Sequence, residues 1–175
     1  VYINHPYWLT DNFSQGDVMF RGLTYRDVSV RYDAYLKQLV VNTPVKRQNV
    51  SVPMDLVEKF TLGGIRYERR KGEFMAILYS SPRIELVQQM NVMMREKLVD
   101  NVKVQYEFKP TMKYCLYRDG QVYEVTNLKS VSKLYPHLKK ELKQFAKKYH
   151  LDFKENRQLS LGTLVKYADE WVGQP

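Results

Sequence analysis

Apolar and polar residues alternate with a period of two in the segment 28–33, Val-Ser-Val-Arg-Tyr-Asp. This alternation is typical of a strand with one buried and one solvated face. A possible reversal precedes the segment at Arg21-Gly22, and another follows it near residues 32–34. Residues 17–41 therefore predict a three-stranded antiparallel meander.

Short turn signals divide the following residues into more strands. Gly63-Gly64 and Asp119-Gly120 each separate two strand-like runs, and such pairs tolerate the positive φ that two-residue hairpins require. Lys71-Gly72 marks a further reversal. Strand-like character is also expected in 50–53 and 56–62. The apolar segment 1–10, kept extended by a proline, is expected to lie at an edge of the sheet.

The segment 84–98 has an ambiguous pattern. Its apolar residues fall near helical spacing, and most residues between them are good helix formers. The same residues also fit a long bent strand. The local pattern favours a helix and leaves open the strand, which Ile84 and Leu86 also fit. The apolar residues at helical spacing are Leu86, Val87, Met90, Met93, Met94 and Leu98.

The period changes to a helical one from Ser130. Ser130 is a candidate cap for a short helical turn, and Pro136 suits the first position of a helix over 136–149. A final helix is predicted for 157–172, with Asn156 as its cap and Gly173 at its end.

Together these patterns predict an α+β fold. Residues 1–127 are expected to form a curled antiparallel β-meander, an open barrel-like sheet. Residues 128–175 are expected to form a two- to three-helix C-terminal unit packed on that sheet within one structural domain. The 14 tyrosines support a sheet, since a tyrosine ring packs on a pleated surface while its hydroxyl stays hydrated.

Positive charge is concentrated in the C-terminal helices. The chain carries 28 Lys and Arg against 19 Asp and Glu, a formal net charge of +9. We therefore predict a possible interaction surface on the helix 136–149, although a lysine-rich helix face is more often simply solvated. Nucleic acid is an unfavoured partner, because the sequence holds no recognition motif. The lysines of this surface are Lys139, Lys140, Lys143, Lys147 and Lys148.

No catalytic, metal or cofactor site is predicted. The sequence holds no nucleophile elbow, no phosphate-binding glycine-rich loop and no closely spaced metal ligands. His5, His137 and His150 are isolated along the chain. Cys115 lies in an apolar strand-like run, so we expect a buried, unreactive thiol. The carboxylates available for catalysis have turn and surface roles as the simpler interpretation; they are Asp55, Glu58, Glu68, Glu73 and Asp119.

Five short segments resemble a family of uncharacterised exported proteins of Bacteroidota. They are Arg-Tyr-Asp-Ala-Tyr-Leu-Lys-Gln-Leu (31–39), Val-Glu-Lys-Phe-Thr (57–61), Tyr-Arg-Asp-Gly-Gln-Val-Tyr (117–123), Leu-Tyr-Pro-His-Leu-Lys-Lys-Glu-Leu-Lys (134–143) and Leu-Val-Lys-Tyr-Ala (164–168). The resemblance implies a signal peptide that has been removed, a periplasmic or cell-envelope location, a sheet-rich body and a helical C-terminus. It also favours a strand for residues 84–95, and it implies no activity or catalytic residue.

The sequence thus predicts a non-enzymatic periplasmic or cell-envelope protein that binds another macromolecule or a ligand through exposed sheet aromatics. The alternative is electrostatic attachment to an anionic membrane or polymer through the basic helix 136–149. No apolar run reaches the ~20 residues of a membrane-spanning helix.

Overall fold

The computed structural model describes residues 2–8, 10–43, 48–99 and 103–173. Residues 44–47, part of the predicted polar connection, and Val1, the start of the predicted edge segment, lie outside the described residues. Within the described residues, no helix combines the length and apolar character needed to cross a membrane.

Eleven strands and three α-helices make up the described structure. The strands are β1 (Tyr2–Ile3), β2 (Ser14–Phe20), β3 (Leu23–Asp33), β4 (Gln38–Thr43), β5 (Gln48–Val52), β6 (Val57–Leu62), β7 (Ile65–Arg70), β8 (Glu73–Ser80), β9 (Ile84–Val99), β10 (Lys103–Arg118) and β11 (Gln121–Glu124). The helices are α1 (Leu128–Leu134), α2 (Lys139–Lys148) and α3 (Arg157–Val172), with 3-10 turns at Met54–Leu56 and Pro136–Leu138.

The strands form an open sheet in the order β1-β10-β9-β8-β7-β6-β2-β3-β4-β5, with β11 paired to β10. The order has two ends and does not close. The α+β class is confirmed, and so is the meander of β2, β3 and β4, whose pairs are antiparallel. The N-terminal segment lies at the sheet edge as predicted, although β1 runs parallel to β10.

Two-residue turns join the strands where the sequence placed them. Gly63 and Gly64 have φ of 58° and 76° between Leu62 and Ile65, which are paired across the hairpin. Asp119 and Gly120 have φ of 52° and 73° between β10 and β11. Positive φ at both central residues matches the right-handed twist of the flanking strands, so these turns are set by local chemistry.

The segment 84–98 is a strand, and the helix favoured by its local pattern is wrong. β9 pairs with β8 in antiparallel register, for example Ala76 with Gln88. Its first part is buried at Ile84, Leu86 and Val87, whereas Leu98 is 68% exposed. Sheet pairing on β9 supplies the backbone hydrogen bonds that a helix would have made internally, and this tertiary term outweighs a helix preference of a few tenths of a kcal/mol per residue.

The described residues divide into two compact units. One comprises residues up to 75 together with 90–112, and the other comprises 76–89 together with 113 onwards. The core of the first unit contains an aromatic cluster in which Phe60 stacks on Tyr67 with ring centroids 4.8 Å apart, and Tyr32 and Phe74 pack against Phe60. Burial raises the pKa of Tyr32 to about 12, since the phenolate is disfavoured away from water.

The second unit holds all three helices and one continuous apolar core. Strand residues such as Leu86 and Leu116 and helix residues such as Leu142, Leu161 and Leu164 are fully buried in it. The helical segment therefore packs on strand residues of its own unit. The bounds predicted for the last helix, 157–172, are confirmed.

The helix ends differ from the sequence predictions in detail. The N-cap of α1 is Asn127, and Ser130 is its partner in a reciprocal capping box rather than the cap itself. Asn156 precedes α3, but its side chain makes no capping hydrogen bond. Gly173 ends α3 with φ of −86°, outside the left-handed region. A Cβ at this position would lie 2.5 Å from the Arg83 guanidinium, so a larger residue would require the end of that side chain to shift.

Candidate functional site

The helical segment of the second unit carries a groove of about 710 Å³, which we call the lysine groove. Among the described residues that line it, four are lysines and none is acidic. The groove is lined by Asn127, Leu128, Lys129, Ser132, Lys133, Pro136, Lys139, Lys143 and Phe153.

The lysines of the groove come in two pairs. Lys129 and Lys133 belong to α1, and Lys139 and Lys143 belong to α2. Residues four apart are neighbours on one side of a helix. Each helix therefore presents two like charges to the same cavity, an arrangement that weakens the helix by about 0.2–0.5 kcal/mol per pair.

The connection between α1 and α2 positions these pairs. Asn127 Oδ1 accepts the Ser130 backbone N–H at 3.0 Å, and Ser130 Oγ accepts the Asn127 backbone N–H at 3.0 Å. This reciprocal bonding begins α1. Tyr135, only 2% exposed, ends α1 and is anchored in the core, and Pro136 then starts the 3-10 turn into α2. A buried anchor followed by proline forces a short turn that brings the two helices together.

A second connection places Phe153 in the groove. Asp152 Oδ1 accepts the backbone N–H groups of Lys154 at 2.8 Å and Glu155 at 3.0 Å. These backbone hydrogen bonds lower the pKa of the Asp152 carboxyl. Ser160 Oγ also donates to the Asp152 carbonyl at 2.9 Å. The Asp152 carboxylate thus holds the turn between α2 and α3, and with it the Phe153 ring.

The charges of the groove lysines are not neutralised within the described structure. All four side chains are exposed. The ion pairs described in this unit, Arg83–Asp169, Lys113–Glu124, Arg118–Asp119 and Lys166–Glu170, involve none of them. Clustered cations without partners produce a positive potential that attracts anions.

Two of the five lysines predicted from the sequence line the groove, and three do not. Lys139 and Lys143 line it, whereas Lys140, Lys147 and Lys148 are exposed residues of α2 outside the lining. The Lys148 ammonium lies 5.3 Å from the ring centroid of Tyr149.

The sequence prediction did not include two further lysines of the groove, Lys129 and Lys133, because they lie on a different helix. Their i, i+4 spacing, which Lys139 and Lys143 repeat, is the sequence pattern that could have indicated them.

A second cavity of about 600 Å³, the arginine cleft, lies in the same unit. Both arginines that line it, Arg83 and Arg118, form hydrogen bonds within the protein. Arg83 Nε donates to Asp169 Oδ1 at 2.9 Å, and Arg83 Nη2 donates to the Asp169 carbonyl at 2.6 Å. Arg118 donates to Asp119 Oδ2 at 3.1 Å and to the Leu134 carbonyl at 2.8 Å. These contacts satisfy backbone carbonyls near the ends of α1 and α3, so we interpret the cleft as structural.

Asp169 is a buried carboxylate that accepts several hydrogen bonds. Its side chain is buried and accepts hydrogen bonds from Arg83 Nε and from the Tyr79 hydroxyl, each at 2.9 Å. Burial alone raises its pKa, but hydrogen bonds from Arg83, Ser81 and Tyr79 and the charge of Arg83 hold the pKa below its usual value. Burial and the hydrogen bond to Asp169 raise the pKa of Tyr79 to about 12.

Several residues considered for chemistry make structural contacts instead. Glu68 pairs with Arg66 and Arg70, each at 2.9 Å. Glu58 accepts the Gly22 backbone N–H at 2.7 Å.

The described residues contain no group of three or more His, Cys, Asp and Glu side chains arranged to hold a metal. Cys115 is buried as predicted, and burial raises the pKa of its thiol.

No family model, curated protein or solved structure matches this chain. The candidate site therefore rests on its own geometry, and the resemblance to exported Bacteroidota proteins stays a prediction.

Proposed function

We propose that this protein is a non-enzymatic binding module of the cell envelope that attaches to an anionic membrane surface or polymer through the lysine groove and the neighbouring lysines of α2. One observation carries the proposal. Lys129, Lys133, Lys139 and Lys143 surround a single cavity, and none of them forms an ion pair with the described residues.

The packing of α2 supports this role. Leu142 and Ala146 bury one side of the helix in the core, which leaves the lysine-bearing side exposed. Lys139 begins the helix, where the macrodipole already supplies partial positive charge. A cation at that position is unfavourable for the helix itself, so a bound anion would relieve the repulsion.

The periplasmic or envelope location is part of the proposal and draws its support from the family resemblance. An envelope protein meets anionic lipid headgroups and anionic polymers, and a positive surface raises its association rate with both. Binding of this kind weakens with salt, since the Debye length falls from ~10 Å at 0.1 M to ~3 Å at 1 M ionic strength.

Co-sedimentation tests the proposal. The full chain is mixed with neutral vesicles, with vesicles containing phosphatidylglycerol, and with an immobilised anionic polysaccharide, at low and high salt. We expect retention on at least one of the two anionic materials at low salt only. Retention on neither of them, or on neutral vesicles equally, overturns the proposal.

Two charge-reversal variants locate the surface. Lys139→Glu combined with Lys143→Glu should abolish retention. The matched control, Lys97→Glu with Lys103→Glu, makes the same change in net charge at exposed residues of β9 and β10. An equal loss in both variants means that net charge, and not the groove, drives attachment. Hydrolase or transferase activity abolished by a single carboxylate substitution would show that the protein is an enzyme.

Exposed aromatic rings favour a second candidate function, binding of another macromolecule on the sheet. Tyr2, 66% exposed, stacks on Tyr106 and Phe108 with ring centroids 5.4 Å and 5.9 Å apart, and Tyr35 packs edge-on to Phe108 at 5.5 Å. Rings of this kind supply contact area at low entropic cost. A pull-down from envelope extract at high salt tests it, since capture lost in Tyr2→Ser but kept in Lys139→Glu would assign binding to the rings.

A further inference from the structure

The lysine groove combines its charge with an apolar floor. Leu128 and Phe153 are half-buried and pack against the core of the second unit, and Pro136 adds a third apolar surface. The aliphatic stems of lysines also cover apolar surface while their ammonium groups remain hydrated. A purely electrostatic surface needs no such floor.

These two properties define the chemistry of a ligand. The floor suits an apolar body, and the rim of lysines suits an anionic head. No arginine is among the described residues that line the groove, so the lysines would attract an anionic head as point charges rather than through a planar guanidinium fork. A carboxylate is the smallest head of this kind, and it leaves most of the cavity to an apolar body.

The size of the groove limits the body of the ligand. Its volume of about 710 Å³ lies in the range of roughly 300–1,000 Å³ found for sites that enclose one small molecule. A single-chain amphiphile fits this range better than a lipid with two chains and a large headgroup.

We propose that the lysine groove binds one long-chain fatty acid. The alkyl chain lies on Leu128, Pro136 and Phe153, and the carboxylate lies among the lysines of the rim. The proposal rests on the proposed function in one respect, that this segment binds anions, and it adds the ligand class.

Calorimetric titration of the full chain with fatty acids below their critical micelle concentrations tests the proposal. Laurate should bind with a stoichiometry of one. Affinity should rise from octanoate through decanoate to laurate by up to about fourfold per added methylene, the value for complete burial of a CH₂ group. Butyrate has the carboxylate but not the long chain, and dodecanol has the chain but not the carboxylate. Each should bind the groove at least about tenfold more weakly than laurate.

Variants assign the binding to the groove. Lys133→Gln with Lys139→Gln should weaken laurate binding about tenfold or more, the scale of a lost charge-assisted hydrogen bond. Lys97→Gln with Lys103→Gln removes the same charge at exposed residues of β9 and β10 that do not line the groove, and it should leave affinity unchanged. Circular dichroism and thermal unfolding check that both variants are folded.

Each outcome separates this inference from the proposed function. Affinity that is independent of chain length, or that falls equally in both variant pairs, overturns the fatty-acid site. If anionic vesicles or polymer retain the protein but laurate does not bind, the inference fails while the proposed function stands. If laurate binds with the expected chain-length dependence while vesicles and polymer do not retain the protein, the fatty-acid site stands and surface attachment fails.

Discussion

Replacing one lysine of each groove pair should stabilise the protein. In the variant Lys129→Gln with Lys139→Gln, both like-charged i, i+4 pairs are removed. Each such pair costs about 0.2–0.5 kcal/mol, and a cation at the first residue of α2 costs about 0.3–1 kcal/mol against the helix macrodipole. Glutamine and lysine have similar helix propensities, so the substitution itself is neutral. We expect the free energy of unfolding to rise by about 1 kcal/mol.

Urea titration at low ionic strength measures this change, and thermal unfolding should show an increase of about 2–4 °C in Tm for a chain of this length. At 1 M salt the gain should largely disappear, because the Debye length is then ~3 Å. Lys166→Gln is the matched control. It removes a favourable pair, since Lys166 Nζ lies 3.8 Å from Glu170 Oε1, and it should lower stability by up to about 0.5 kcal/mol.

A loss of about 1 kcal/mol or more in the double variant would refute the reasoning. Such a loss would mean that the lysines hold α1 and α2 together through contacts of their own. A gain that persists in high salt would also contradict it, since the stabilisation would then have a source other than charge repulsion. A salt-sensitive gain would indicate that the lysines are maintained at a cost to stability, as expected of binding residues.

Other substitutions test the rest of the fold. Gly16→Ala should lower the free energy of unfolding in urea by about 1–3 kcal/mol, since its Cβ would lie 2.1 Å from the Thr61 carbonyl oxygen. Gly162 lies within α3, and a Cβ added there would lie 3.8 Å from the Leu78 carbonyl oxygen, an ordinary contact. Gly162→Ala should therefore raise the free energy of unfolding by about 0.5–1 kcal/mol. The pKa of Asp169 is lowered by folding, so the stabilisation from its ionised carboxylate is complete above about pH 4 and is lost as the pH falls further. Asp169→Asn should therefore reduce the decrease in the free energy of unfolding at acidic pH, as measured by urea titration. Cys115 should react with a thiol reagent at neutral pH much more slowly in the folded than in the urea-unfolded chain, because it is buried and its pKa is raised.

Several parts of this structure follow from the sequence because their causes are local. The reversal at Asp119-Gly120 requires two residues that accept positive φ, and both are present side by side. The bounds of α3 follow from helical periodicity between Asn156 and Gly173. Burial of Cys115 follows from the apolar run around it. In each case the physical reason lies within a few residues of the feature.

The tertiary structure decided what depends on distant residues. β9 is a strand because it pairs with its neighbours, although its own apolar spacing favours a helix. The lysine density of 136–149 was visible in the sequence. The cavity was not, because it needs Lys129 and Lys133 from another helix and Phe153 from the next connection. The contact of Arg83 with Asp169 joins residues 86 positions apart. Composition and periodicity determined most of the elements, but sheet pairing decided β9. Packing of the apolar core determines which side chains meet, and a binding site depends on that packing.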